Sequence, residues 1–322
     1  MSLKVSVVMP AYNGAKFIAK SIDSALGQNY QPHEIIVIDD GSKDETPRIL
    51  ARYADKIQVH RIPNGGVANA MNTGFKKASG DVIAILEQDD LWFHQKLARQ
   101  VAFMEKYPEV GICVCNMITR KNAKSRLLRH YSRLFHKKQI NFDAPLKGDS
   151  FLAVYRENFV CTFSSMMLRR DLFDSVGYLN SRYRICLDLD FLLRCAQYTR
   201  FGLIEDVLLF KKAHENNLSG DKVRMYEEHR EALLDHFNDP YVGEKKLQKA
   251  CRYELAQNNY HLGSIYFEGG DTVKAFATYW QGLKFSLTVK NFINFSAVVS
   301  RKLVRILSFG KISRKALRSG RI

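Results

Sequence analysis

This 322-residue chain predicts an α/β fold: a mostly parallel central sheet wrapped by helices in the first two-thirds, then a helical C-terminal region. Three observations carry that prediction. Short β-branched runs recur at Val5 to Met9, Ile35 to Ile38, Ile57 to Ile62 and Val82 to Leu86. Stretches of helical spacing around 15–27, 44–54 and 66–79 separate them, the alternation expected of parallel strands joined by crossover helices. Beyond about residue 222 the strand-like runs give way to helical sequence, so the expected domains are 1–221 and 222–322. With apolar residues at 46%, the chain can bury a substantial core.

In such sheets the ligand crevice opens beyond the carboxyl ends of the strands, which directs attention to the residues following each run. The first run leads into Pro10-Ala11-Tyr12-Asn13, where proline is expected to stop the ladder and free the next residues to face a ligand. A plain strand-end turn would read the same way. The second ends in Asp39-Asp40-Gly41-Ser42, two carboxylates beside a glycine turn. They suit hydrogen bonds from a ribose or base, and equally the capping of the next helix. After the third, Asn64-Gly65-Gly66-Val67-Ala68-Asn69 precedes a helix and is expected to let backbone approach a diphosphate. The fourth delivers Glu87-Gln88-Asp89-Asp90 into the crevice. Carboxylates this dense repel one another unless a cation or solvent screens them, and hard oxygen ligands suit Mg²⁺ or Mn²⁺. A solvated acidic turn is the alternative.

In order and spacing these segments, with Asn72 and Gly74, resemble the family 2 glycosyltransferases of the GT-A fold, over residues 4–220. The resemblance implies a nucleoside diphosphate sugar as donor, usually linked to UDP, GDP or dTDP. It implies Tyr12 beside the base, Asp39 on base or ribose, and Asp89 as second acid of a DxD metal motif, with Glu87 first and the adjacent Asp90 as a further metal ligand. Pro10, Ala11, Asn13, Asp40, Gly65, Asn69, Asn72 and Gln88 complete the donor-binding set in that half of the chain.

The segment Cys186-Leu187-Asp188-Leu189-Asp190-Phe191 is similar to the family's catalytic-base segment, with Asp188 matching the base. Its carboxylate would deprotonate the acceptor hydroxyl as that oxygen attacks the anomeric carbon opposite the departing diphosphate, an in-line displacement with inversion. Read as residues alone, Asp188 and Asp190 equally suit a helix N-terminus. Lys212-Ala213-His214-Glu215-Asn216-Asn217-Leu218-Ser219 resembles the family's Arg-x-His-x-x-Asn-x-Ser element, which puts Lys212 at the donor and makes His214 a metal or phosphate ligand. Three positions depart from the pattern: Met71 for Arg, Glu87 for the first Asp of DxD, and Leu187 for Glu beside the base.

A net charge of +16 points to polyanionic partners, and it is regional. No acidic residue follows Asp271, and none lies between Glu109 and Asp143, where a basic block spans Arg120 to Lys138. Phe292, Phe295, Val299, Leu303 and Ile306 recur at helical spacing beside Arg301, Lys302 and Arg305, a basic amphipathic pattern too interrupted by charge to span a bilayer. Together these predict a cytoplasmic enzyme peripheral on an anionic membrane; with the family resemblance they imply a glycan or polyprenyl-linked acceptor, in bacterial surface polysaccharide synthesis. Packing of that helix on the enzyme is the alternative. Tyr260, Gly263, Tyr266, Gly270, Ala275, Tyr279 and Leu283 resemble one tetratricopeptide-type hairpin, and one such unit suits packing better than a repeat array.

Six cysteines without a CxxC pair predict reduced thiols, Cys113 and Cys115 packing on one strand face. The first residues lack the order of a signal peptide. Two other classes compete. Nucleotidyl transfer would bring a Gly-rich N-terminal signature with Arg and Lys, absent from Val8-Met9-Pro10-Ala11-Tyr12. An RNA-binding protein fits the charge, yet the sequence carries no recognisable RNA motif, so no specific nucleic acid is expected.

Overall fold

The structure is a computed structural model that describes residues 2–120, 128–129, 143–145, 150–156, 160, 162–212, 221–243, 245–286, 296 and 300. Two compact units divide the chain, Met1–Gly220 and Asp221–Ile322.

The first unit alternates strands and helices as its periodicity predicts. In chain order they are β1 (Val5–Ala11), α1 (Ile18–Leu26), β2 (Glu34–Asp39), α2 (Thr46–Ala51), β3 (Gln58–Arg61), α3 (Val67–Lys77) and β4 (Val82–Ile85). Next come β5 (Asp90–Trp92), α4 (Lys96–Lys106), β6 (Val110–Arg120), β7 (Leu128–Arg129), β8 (Ala144–Pro145) and α5 (Ser150–Arg156). β9 (Met166–Arg169), α6 (Leu172–Val176), α7 (Leu187–Cys195) and β10 (Arg200–Lys212) complete it.

The sheet order is β3-β2-β1-β4-β9-β6-β10-β5, with β7 on β6 and β8 on β10. β1 to β4 pair in parallel, as do β6 and β10; β9 runs antiparallel to both β4 and β6, and β5 antiparallel to β10. Six of the eight strands on that path therefore share one direction, a mostly parallel sheet. Their carboxyl ends lie along one edge, where the site residues gather.

Burial explains the parallel half. β1 is buried along its whole length, and α1 turns Ile18, Ser21, Ile22 and Ala25 inward. α3 lies so close to the sheet that a Cβ at Gly74 would fall 2.4 Å from Val8 Cγ1, which leaves no room for a side chain. Met71 is fully buried on the same helix, so this departure from the family pattern belongs to the core. Leu187, 3% exposed, does too.

Pro10 does not stop its strand as expected. β1 continues to Ala11, with Pro10 opposite Ile38 and Ala11 opposite Asp39. β4 leaves off opposite Val8, whose carbonyl accepts from Leu86 N at 3.0 Å. Pro10 shares the parity of Val8, so its missing N–H faces the side β4 no longer covers. Pro10 and Ala11 are buried, and the first exposed residues of this edge are Tyr12 and Asn13.

The second unit is helical in its described part: α8 (Lys222–Phe237), a short 3-10 turn (Pro240–Gly243), α9 (Lys245–Glu268) and α10 (Thr272–Phe285). Asp221 and Asp271 cap α8 and α10 by accepting from Arg224 N and Lys274 N. The α9–α10 hairpin turns at Gly270 (φ +86°) and closes with the Tyr279 ring over Gly263, its hydroxyl 2.8 Å from Ser264 Oγ. Among the described residues no helix is long and apolar enough to cross a membrane. The amphipathic stretch at 292–306 and the basic block from Lys121 to Lys138 lie outside the described residues, apart from Ser296, Ser300 and the backbone at 128–129.

Candidate active site

The loops after β1 and β2 are bonded to each other. Asn13 N donates to Ser42 Oγ at 3.0 Å, Lys43 N to Asn13 Oδ1 at 2.8 Å, and Gly14 N to Thr46 Oγ1 at 2.8 Å. This bonding accompanies a left-handed Asn13 (φ 47°), a conformation asparagine tolerates better than most residues. Asp39 is 1% exposed; it accepts from Ser42 N at 2.9 Å and lies 3.5 Å from the guanidinium of Arg61, at the end of β3. Asp40 is spent on the glycine loop, with Oδ1 accepting from Gly65 N at 2.8 Å and Oδ2 from Gly66 N at 2.9 Å. Gly66 has φ +84°, and its N–H is turned to Asp40 just before α3 begins. Asn69 covers Gly65: a Cβ there would meet its Nδ2 at 2.5 Å.

Gln88 joins the first strand end to the fourth. Its Oε1 accepts from Tyr12 N at 2.9 Å, its Nε2 donates to Tyr12 O at 3.0 Å, and its carbonyl accepts from Ser21 Oγ. The Tyr12 ring stays 43% exposed above this pair.

The acidic turn is held from beneath. Glu87 N donates to Ser164 Oγ at 2.9 Å, and Thr162 Oγ1 reaches both the Glu87 carboxylate and, at 3.1 Å, Asp90 Oδ2. One hydroxyl proton thus serves two carboxylates. Lys211 Nζ, on β10, lies 3.7 Å from Glu87. Asp90, expected as a metal ligand, is fully buried, and its Oδ1 has no hydrogen-bond partner among the described residues. Burial pushes its carboxyl up to about 7, opposed by Lys211 and reinforced by Glu87 and Asp89.

Glu87 and Asp89 are only partly buried at this turn. A hard divalent ion takes one or two carboxylates and completes its shell with water and substrate phosphates, so these two oxygen donors fit such an ion without a full protein cage. Among the described residues no group of three or more His, Cys, Asp or Glu side chains converges. His214 lies outside the described residues, and of Lys212 only the backbone is described.

The two acids of α7 have different surroundings. Asp190 is 5% exposed and bonded to Arg194 at 2.9 and 3.2 Å, while the guanidinium also donates to the carbonyls of Val176 and Tyr178. Asp188 is half-buried in the first turn, Oδ1 accepting from Leu189 N at 2.8 Å. Asn72, read as a donor contact, has its carboxamide bonded to the backbone of Leu179 through both ends.

Sequence reading missed Arg61, Thr162, Ser164, Lys211 and Arg194. Arg61 has a signal, since it ends the third strand on the edge where the strand ends of this sheet gather. Lys211, on β10, reaches the acidic turn. Nothing local marked Thr162 or Ser164.

Fold and strand-end site together define a glycosyltransferase of the GT-A class. TarS of S. aureus superposes with a TM-score of 0.64 at 18% identity, covering 89% of this chain and 50% of that one, and it has also been solved with UDP-GlcNAc. The mannosyltransferase PcManGT of Pyrobaculum calidifontis, in complex with GDP-Man and Mn²⁺, gives 0.62 at 19%, covering 94% and 81%. The model of glycosyl transferase family 2 matches residues 6–177, and the chain belongs to that family. An uncharacterized glycosyltransferase of Rickettsia typhi is 28% identical over 236 residues, 72% of this chain and 71% of its own.

Proposed function

We propose that the enzyme moves a sugar from a nucleoside diphosphate donor to a hydroxyl of a glycan or polyprenyl-linked acceptor, with inversion, using Mn²⁺ or Mg²⁺. The observation that carries the inverting reading is the contrast between Asp188 and Asp190. Asp190 is neutralised by Arg194, whereas Asp188 is half-buried at the positive end of α7, where the helix favours a carboxylate. Asp188 takes the acceptor proton. Tyr12 offers its exposed ring to the base, and the Gly65–Gly66 loop, whose two N–H groups Asp40 already holds, lets the donor come close to the backbone through its lack of side chains. Asp89 and Glu87, with His214, hold the ion, which when bound neutralises charge on the leaving diphosphate. The donor class is supported by the ligands of the two solved relatives, UDP-GlcNAc and GDP-Man.

The +16 charge and acid-free C-terminal sequence support a cytoplasmic enzyme peripheral on the inner face of an anionic membrane, in surface polysaccharide synthesis. A thermal-shift screen of UDP, GDP, dTDP and their sugars, with and without Mn²⁺, tests the donor reading. Metal-dependent stabilisation by one nucleotide family is expected. A flat response to every nucleotide rejects it.

A further inference from the structure

The second unit holds a groove of about 220 Å³ lined by Lys245, Gln248, Lys249, Arg252, Phe285 and Ser286. Lys245, Lys249 and Arg252 stand at i, i+4 and i+7 on α9 and share one helix face. All three are exposed, and none forms an ion pair with a described residue. The Arg252 guanidinium lies over the Phe237 ring at 5.5 Å, and Phe237 meets Phe285 edge-on at 6.1 Å. An aromatic wall therefore orients one cation beside the two lysines.

This arrangement runs against helix electrostatics. Lys245, Lys246 and Lys249 crowd the start of α9, no acidic residue lies in its first turn, and the positive end of the helix dipole disfavours cations there. Glu244, which precedes the helix, is outside the described residues. Such a local conflict is expected where an external ligand resolves it. An anion in the groove would satisfy the cations and the helix terminus together. At about 30 Å³ per water in the liquid, the volume is roughly seven waters, room for one or two phosphate groups.

We propose that this groove is a phosphate-binding site, serving either a free phosphate anion or the headgroup of an anionic phospholipid. It is independent of the sugar-transfer reading, and either can fail alone.

The full-length chain is tested in two arms at low salt, with EDTA to suppress metal-dependent binding elsewhere. One is calorimetry with pyrophosphate; the other is sedimentation with phosphatidylglycerol against phosphatidylcholine vesicles. The groove variant is Lys245→Gln/Lys249→Gln/Arg252→Gln. A charge-matched control places Lys20→Gln/Lys56→Gln/Lys77→Gln on exposed positions of the first unit. The groove variant should lose at least about tenfold in affinity in one arm, while the control stays within about twofold. Loss confined to pyrophosphate assigns a soluble phosphate, and loss with phosphatidylglycerol assigns a headgroup. Should the triple variant unfold, Lys249→Gln alone should lose about fivefold. Equal losses in groove and control variants, or no wild-type binding in either arm, overturn the site.

Discussion

Asn72 and Leu179, 107 residues apart in sequence, hold each other by two hydrogen bonds: Asn72 Nδ2 donates to Leu179 O and Leu179 N donates to Asn72 Oδ1, both at 2.9 Å. Asn72 lies on α3, the helix that starts at the Gly65–Gly66 loop. Leu179 lies in the segment leading to α7, and the neighbouring Tyr178 carbonyl is held by Arg194 of that helix. One amide therefore ties the helix that follows the glycine loop to the segment leading into the helix that carries Asp188.

Removing that amide strands a backbone donor and acceptor. Asn72→Ala is expected to lower sugar turnover about tenfold while nucleotide affinity stays within about twofold, because its influence runs through the position of α7. The decisive comparison adds Asn72→Ala to Asp188→Asn. If the amide acts through Asp188, the second substitution costs little more. Fully additive losses would leave the clip a matter of stability alone.

Asp188→Asn and Asp190→Asn should fail in different ways. Without its base the enzyme is expected to lose about 10²-fold or more in kcat with donor binding kept. Asp190→Asn instead leaves the partly buried Arg194 bonded to the carbonyls of Val176 and Tyr178 without its counter-charge, so loss of thermal stability should dominate. Turnover that survives Asp188→Asn and collapses in a folded Asp190→Asn would move the base by two residues.

What was legible in the sequence was local. β-branched runs exposed β1 to β4, and the polar residues after each run exposed the site edge, because parallel strands put their carboxyl ends together. β10 was not read as a strand, although it is the longest: Gly202 and the acidic pair Glu205-Asp206 interrupt its pattern, and the pairing with β6 shifts register there. β9 has four residues, too few to show alternation. At the site, the acids were visible and their partners were not. That Asp40 serves Gly65 and Gly66, or that Thr162 bridges Glu87 and Asp90, depends on contacts between segments 25 to 75 residues apart, on which local pattern is silent.

Asp89→Ala is expected to abolish metal-dependent nucleotide binding, since it removes one of the two partly exposed oxygen donors at the turn. Calorimetry with UDP and with GDP, each with Mn²⁺ or EDTA, measures it. Glu87→Gln should cost less, because Glu87 already shares its charge with Lys211 and Thr162. Unchanged metal-dependent affinity in folded Asp89→Ala would reject the metal assignment.

Lys96 gives a pH test of the core beneath the site. Its side chain is fully buried, with Nζ 4.0 Å from the centre of the Trp92 ring and donating to Gln100 Oε1 at 2.6 Å. Gln100 in turn donates to the Ser165 carbonyl, and Trp92 Nε1 to that of Ser164, so this buried cation braces the turn under Glu87. Burial pulls the ammonium down to about 8 from 10.5, with Cys115 and Cys113 opposing. Between those values the unfolded chain binds a proton that the folded chain has released, so stability contributed through this group rises with pH across that window. In full it amounts to about 3 kcal/mol. Lys96→Met abolishes the titration and leaves Gln100 Oε1 unpartnered, a cost that does not vary with pH. The buried thiols Cys113 and Cys115, pushed upward by burial, titrate in both proteins and largely cancel in the comparison. Urea melts followed by Trp92 fluorescence, in a Trp280→Phe background so that only the first unit reports, should show wild type gaining on Lys96→Met from pH 8 to 10.5. A difference that stays flat across that range would mean that Lys96 titrates near its ordinary value, keeping its charge as a solvated ammonium does, and would reject the closed-core reading.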